Sequence, residues 1–435
     1  MALGGGNFTT QNKILPGAYI NFVSAASASA ELSDRGVATM PLELDWGVDG
    51  EVFAVTADDF PKNSLKMFGY DHTSDKLKGL RDLFLNVTTL YAYRINSDGV
   101  KATNDFAEAV CSGIRGNALS ISIQKNADNA NLFDVKTYMG AILVDTQTVD
   151  SAASLKSNDY VIFKSTATLA VTASTPMTGG TNSVVDGNAY QTYLDKIESY
   201  TFNAMGVVTT DDTVKGLFAS FTKRLRDEMG VKFQLVVYRK AVDYMGVVNV
   251  KNKIGDPDWS EASLVYWVTG VIAGCAVNKS NQNIKYDGEF KVDTSYTQTD
   301  LITAIKSGEF TFHKVNADVR VLEDINSMVT TSDTEGDVFK DNQTIRVIDQ
   351  LANEDAVLFN TKYLGAVPNT ASGRISLWSD LVKIRQALQD LGALEGFTDA
   401  DVKVEPGVSK KSVVVTGNIT VVNAMSKLYM TITVA

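Results

Sequence analysis

The chain has 435 residues, with 40 Lys+Arg against 51 Asp+Glu and a net charge of −11. That balance excludes a general nucleic-acid binder, because too little positive charge is present to neutralise phosphates. A hydrophobic content of 44% with 16 Tyr and 19 Phe excludes a disordered chain, and two Cys exclude a disulfide framework.

At about 150 residues per domain the length suggests about three domains. Residues 1–12 carry neither a charge nor an apolar core, so no secretory signal is expected and the reducing cytosol suits the chain. Leu15–Val23 alternates, with Ala18, Ile20 and Phe22 on one face and Tyr19 on the other, which predicts a strand. Ser24–Ser33 is an Ala/Ser tract that reads as a linker. Met40–Val55 is strand-like, Ser74 caps a predicted helix carrying Leu77, Leu80, Leu83 and Phe84, Thr88–Arg94 reads as a strand, and Asp105–Gly113 as a short helix.

From Asn117 the pattern changes. Leu119, Ile121 and Ile123 alternate with polar residues, and short strand candidates follow at Leu132–Tyr138, Ala141–Thr146, Tyr160–Lys164 and Leu169–Ala173. Regularly spaced short strands predict a β-rich domain. After Gly187 helices and strands alternate: helix 189–200, strand 202–209, helix 213–229, strand 232–238, strand 246–250, and an apolar helix at 260–277. This predicts a parallel or mixed α/β sheet into which the β-rich block is inserted. The apolar stretch 262–278 is shorter than the roughly 20 residues of a spanning helix, so a buried helix is expected and no membrane insertion. Two long helices are predicted at 343–362 and 376–391, and apolar β segments at 412–422 and 428–434.

Catalytic motifs are missing. No Gly-Lys dipeptide, G-x-G-x-x-G after a strand, HExxH, CxxC or G-x-S-x-G occurs. Asp211 and Asp212 follow a strand, where a metal ligand can sit, but acids at a helix N-terminus are the commoner reading. Asp256, Asp258 and Glu261 read as a turn with N-terminal acids for the next helix. His72, His313, Cys111 and Cys275 have no partner motif and read as structural. The expectation is no enzyme, no cofactor and no metal.

The ends carry the information. An alternating strand on an Ala/Ser tether at one end, and apolar β segments at the other, suit pairing with a neighbouring subunit. The segments Leu15–Phe22 (LPGAYINF), Met40–Gly47 (MPLELDWG), Tyr266–Ser280 (YWVTGVIAGCAVNKS) and Ser412–Val434 (SVVVTGNITVVNAMSKLYMTITV) occur in the order in which contractile tail sheath proteins carry similar ones. The chain resembles that family of myophages and phage-tail-like bacteriocins, and within it the short sheaths of Gram-positive phages.

The resemblance implies an α+β / α/β multidomain chain: a mixed-sheet α/β core, a β-rich insertion domain, a C-terminal α+β domain and extended terminal β arms. The expected boundaries are residues 1–24 for the N-terminal arm, 25–116 with 187–340 for the core, 117–186 for the outer insertion, 341–411 for the inner domain and 412–435 for the C-terminal arm. It implies a homo-oligomer of stacked hexameric rings around a tail tube, with baseplate and tail terminator proteins as further partners. Such a virion or phage-tail-like particle is assembled in the host bacterial cytoplasm. Arm residues Ala18, Tyr19, Ile20 and Phe22, and Val413, Val415, Ile419, Val421, Leu428, Met430 and Ile432, are expected to contact neighbouring subunits. Ser24–Ser33 and Glu405–Lys411 are expected to hinge the arms, and Lys383 and Arg385 to face the tube. The alternative reading is a non-contractile filament or surface-layer subunit.

Overall fold

The computed structural model describes residues 32–434. They form two compact units, one of residues 34–353 with 421–434 and one of residues 32–33 with 354–420.

The larger unit opens with β1 (Val37–Leu42), β2 (Val52–Thr56), α1 (Asp59–Phe68), α2 (Lys78–Phe84) and β3 (Thr89–Arg94). The strands β4 (Lys101–Thr103), β5 (Ala107–Ser112), β6 (Leu119–Lys125), β7 (Phe133–Met139), β8 (Ile142–Val149), β9 (Val161–Phe163) and β10 (Thr172–Pro176) come next. Alternation then resumes through α3 (Gly187–Ile197), β11 (Ala204–Val207), α4 (Asp212–Lys223), β12 (Gln234–Tyr238), β13 (Val247–Val250), α5 (Leu264–Gly274), α6 (Gln298–Lys306) and β14 (Glu309–Phe310). A hairpin of β15 (Phe312–Val315) and β16 (Asp318–Val321) precedes α7 (Asn342–Leu358), along which the chain enters the smaller unit.

The core is a seven-stranded sheet in the order β14-β13-β12-β11-β1-β3-β2. Neighbours run parallel except β2, which pairs antiparallel to β3. β12 (QLVVY) and β13 (VVNV) are buried along their whole length, the near-continuous apolar run of a strand covered on both faces. On one face Met40 and Leu42 pack with Phe60, Leu80, Leu83, Trp267 and Val271 of α1, α2 and α5. On the other, Met205 and Val207 pack with Tyr193, Leu194 and Phe218 of α3 and α4. α5 is apolar around most of its circumference and is accordingly buried. It lies close to the end of α2: a Cβ at Gly274 would stand 1.9 Å from the Asn86 carbonyl oxygen, and one at Gly270 2.8 Å from that of Leu83.

The insertion consists of a four-stranded sheet, β10-β6-β7-β8, and a three-stranded one, β4-β5-β9. Leu119, Ile121 and Ile123 of β6 and Val135 and Met139 of β7 point into its core with Ala107, Ala109 and Val161. The helix expected at Asp105–Gly113 is a strand instead. Ala107 and Ala109 are buried with Glu108 exposed between them, and β5 pairs with β9 from Ala107 opposite Phe163. Asn104 Oδ1 accepts from the Phe106 and Ala107 amides and turns the chain into the strand. Tertiary pairing here overrides the helix propensity of Ala and Glu. Buried Arg94 joins sheet and insertion, donating to the Leu44 and Ser112 carbonyls and to Asp49.

The smaller unit holds the end of α7, a π-helical turn at Phe359–Tyr363, α8 (Ala371–Asp390), β17 (Leu394–Glu395), β18 (Val402–Pro406) and β19 (Val413–Gly417). A last short strand, β20, is Thr420–Val421. The mixed α/β core, β-rich insertion and C-terminal α+β unit match the architecture expected from the sequence.

Candidate assembly surfaces

α8 organises the smaller unit. Thr370 caps it by accepting from the Gly373 amide, and Leu377, Leu381, Ile384 and Leu388 form its buried stripe. Trp378 Nε1 donates to the Val402 carbonyl at 2.9 Å and ties β18 to the helix. β18 and β19 pair antiparallel from Val402 opposite Gly417 to Pro406 opposite Val413. The connection is closed by Gly407 N donating to Ser412 O at 2.9 Å and by Asn369 Nδ2 donating to the Lys410 and Ser412 carbonyls. Glu405–Lys411, expected to hinge the arm, is in this chain the end of β18 and a hydrogen-bonded hairpin turn. Val413 and Val415 pair within the chain, on a strand where Val414 and Val415 are 46% and 41% exposed. β19 has β18 as its one sheet neighbour among the described residues.

The two basic residues expected to face a tube differ in their surroundings. Arg385 is buried; its guanidinium donates to Asp355 at 2.9 and 2.6 Å and to the Leu381 carbonyl. This bidentate pair, in which Asp355 is 28% exposed, engages the Arg385 charge within the chain and leaves it the less accessible of the two. Lys383 is 60% exposed, 3.4 Å from Asp380. Asp380 itself is buried, which pushes its pKa up, but contacts from Lys362 and Tyr363, each at 2.5 Å, hold it below the usual carboxylate range.

In the larger unit, residues 422–426 are pinned. Gln343 Nε2 donates to the Val422 carbonyl at 3.1 Å, and the Ala424 amide donates to Gln343 Oε1 at 2.9 Å. Asn423 Nδ2 donates to Thr344 Oγ1 at 3.0 Å, and Ser426 is held between Gln282 and Glu323. Beyond this anchor, residues 427–434 form no strand, and Leu428, Tyr429, Met430, Ile432 and Val434 are 70–90% exposed. The strand expected at Leu428–Val434 is thus absent from this chain, since a strand forms only where a neighbour supplies its hydrogen bonds. Ile419 and Val421 are half-buried. Ala18, Tyr19, Ile20 and Phe22, and most of the Ser24–Ser33 linker, lie outside the described residues. None of the anchoring side chains was singled out in the sequence. Gln343 and Val422 are 79 positions apart, so no local pattern marks them.

Three of the five acidic candidates, Asp211, Asp212 and Asp256, are accounted for locally. Asp211 caps α4 by accepting from the Thr213 and Val214 amides, and these hydrogen bonds hold its pKa below the carboxylate norm against the opposing charge of Asp212. Asp212 pairs with Lys215 at 2.7 Å, and Asp256 with Lys78 at 2.6 Å. No cluster of three or more His, Cys, Asp or Glu among the described residues is arranged to hold a metal. His313 is half-buried, which lowers its pKa; both thiols are half-buried, which raises theirs. No helix among the described residues is long and apolar enough to cross a membrane.

Known families match this architecture segment by segment. Residues 35–95 match the N-terminal region of domain III of the tail sheath protein Gp18, 97–182 the phage tail sheath β-sandwich domain, 183–327 the phage tail sheath central domain and 334–435 the phage tail sheath C-terminal domain. The chain is 30% identical to the phage-like element PBSX protein XkdK of Bacillus subtilis over 469 aligned positions, spanning 99% of this chain and 100% of the relative. The chain belongs to the phage tail sheath family. The crystal structure of the sheath tail protein from Desulfitobacterium hafniense superposes with a TM-score of 0.82 at 33% identity, covering 95% of this chain and 99% of that one. The helical sheath of the anti-feeding prophage in its contracted state shares the sheath fold at 11% identity, with a TM-score of 0.55 over 97% and 99% of the two chains. In sheath terms β4–β10 is the β-sandwich domain, and the β18–β19 hairpin and the exposed terminal segment both lie in the C-terminal domain.

Proposed function

We propose that this chain is the repeating subunit of a contractile tail sheath. It polymerises as stacked hexameric rings around a tail tube, by exchange of terminal β-strands, and contracts to drive the tube through a cell envelope. The observation that carries this reading is the segment 427–434, five large apolar side chains 70–90% exposed on a root pinned at 422–426. In water such a segment is a liability unless another chain covers it. Strand addition to an open sheet edge satisfies its backbone groups and its apolar face together, and the exposed β19 offers such an edge. Leu428, Met430 and Ile432, spaced two apart, then share one face of the added strand. The N-terminal residues Ala18, Tyr19, Ile20 and Phe22 play the same part in the neighbour that they reach.

A heterologous contact that does not close on itself generates a helical polymer. Contraction moves subunits as rigid bodies between two packings while the exchanged strands hold. The partners are the tube, a baseplate and a tail terminator, in a virion or phage-tail-like particle assembled in the bacterial cytoplasm. Lys383 is retained as a tube-facing charge. Negative-stain microscopy of the protein with its tube, before and after triggering, tests this. Long narrow cylinders around tube that become short and wide are expected. A single diameter under all conditions would overturn contraction and leave a passive filament.

A further inference from the structure

The core sheet has a topological switch between β1 and β11. The chain leaves β1 toward α1 and α2 on one face and leaves β11 toward α4 on the other. In an open parallel sheet such a divergence opens a crevice beyond the carboxyl ends of the strands. One is present here, with a volume of about 770 Å³. Its walls are the residues that follow β1, β3 and β11, together with the loops that lead into α2 and α5. It lies wholly within the larger unit.

The chemistry of the lining is one-sided. Among the described residues Glu43, Asp45, Asp75 and Asp258 line it with one lining cation, Lys76, while Arg115 stacks on the Tyr70 ring 4.4 Å from its centroid. No ion pair engages any of these four carboxylates among the described residues. Among the described residues the Asp45 carboxylate accepts from neutral donors, the Tyr70 hydroxyl at 2.7 Å and Asn182 Nδ2 at 3.0 Å. Between the acids stand aromatic rings: Tyr266, with Trp259 edge-on to it at 6.2 Å between centroids, and Tyr70. Burial and the charge of Glu43 both push the Tyr266 and Tyr190 hydroxyls to higher pKa, so the negative field reaches the wall.

An independent feature points to an occupant. Ser263 lines the crevice, is 0% exposed, and its Oγ has no hydrogen-bond partner. A buried hydroxyl left unpaired is costly and is normally satisfied. Repulsion from four carboxylates disfavours a phosphate or carboxylate ligand, whereas ammonium groups meet carboxylates favourably, their hydrogens suit a hydroxyl acceptor, and methylene spacers pack on aromatic faces.

We propose that this crevice binds a small linear polyamine, its ammonium groups against Glu43, Asp45, Asp75 and Asp258, its methylenes on Tyr266 and Trp259, and one N–H donating to Ser263 Oγ. The site does not depend on the sheath assembly reading, since it lies in the isolated subunit.

Titration calorimetry of the full-length unassembled chain with spermidine tests it. Saturable one-to-one binding is expected. It weakens about tenfold in Glu43→Gln/Asp258→Asn and severalfold in Ser263→Ala, the scale of losing charge-assisted and neutral hydrogen bonds. Ser263→Ala keeps or raises the melting temperature, because the hydroxyl it removes is unpaired. The control pair Asp134→Asn/Asp150→Asn, with acids in the β-rich insertion, keeps the affinity. Non-saturating binding, or equal weakening in the control pair, would reduce the effect to diffuse attraction by an acidic protein and overturn the proposal. Tighter binding of N-acetyl-lysine methylamide than of spermidine would also overturn it, by assigning the crevice to a lysine side chain.

Discussion

Burial sets what individual residues can do in this molecule. Asp82 is fully buried, accepting from the Tyr286 hydroxyl at 2.6 Å and the Glu289 amide at 2.8 Å, and burial lifts its pKa to about 6 despite those bonds. The folded protein therefore holds this proton to higher pH than the unfolded chain. Stability from this group is greatest below about pH 4 and falls as pH rises through 6, by about 3 kcal/mol for a shift of this size. Asp82→Asn, which cannot ionise, is expected to lose that slope; denaturant melts of both proteins from pH 4 to 7 give the difference curve. Arg385 and Lys383 make a second residue-scale contrast. Arg385→Glu sets two carboxylates together in a buried place and should cost at least about 3 kcal/mol, whereas Lys383→Glu should change stability by less than about 0.5 kcal/mol. Thermal melts separate the two, and only Lys383→Glu is then a clean probe of sheath-on-tube assembly. The sequence shows both as charges on one helix. It does not show that Asp355, thirty positions away, claims one of them.

Elements were legible where their pattern was strong and self-contained. The Val-rich strands 234–238 and 247–250, the apolar helix around 264–274 and the capped helix after Asp211 all follow from local composition. α1 and α6 escaped notice, although Phe60, Ser64 and Phe68 recur every fourth residue and Thr297 with Asp300 forms a capping box. β5 differs from its expected helix because Phe-Ala-Glu-Ala-Val suits either state until β9 pairs with it. Of the candidate assembly surfaces, the apolar alternation of the C-terminal segment was readable, but its anchor on Gln343 and Thr344 depends on folding far from it in sequence. The packing of α5 on α2 gives the prediction at this scale. Gly274→Ala places a methyl carbon 1.9 Å from a backbone oxygen that cannot rotate away. The helices must part, at a cost of about 1–3 kcal/mol typical of overpacking, measured by denaturant unfolding; an unchanged midpoint would mean that the contact is slack.

For the whole molecule the decisive prediction separates folding from assembly. Removing residues 427–435 deletes the exposed Leu428, Tyr429, Met430, Ile432 and Val434 beyond the Ser426 anchor. The truncated chain is expected to melt within about 0.5 kcal/mol of the intact one and to form no cylinders with tube by electron microscopy. Normal cylinders from this truncation would defeat strand exchange through this arm. The anchor at 422–426 has a further consequence. Eight extended residues span at most about 26–29 Å, so an arm that slips from its neighbour remains within that radius of its root. If this arm pairs with a neighbouring subunit as proposed, recapture is an intramolecular event at an effective concentration in about the millimolar range. A lattice linked in the proposed way would heal a lost contact faster than a freed subunit diffuses away, and so would tolerate individually weak strands.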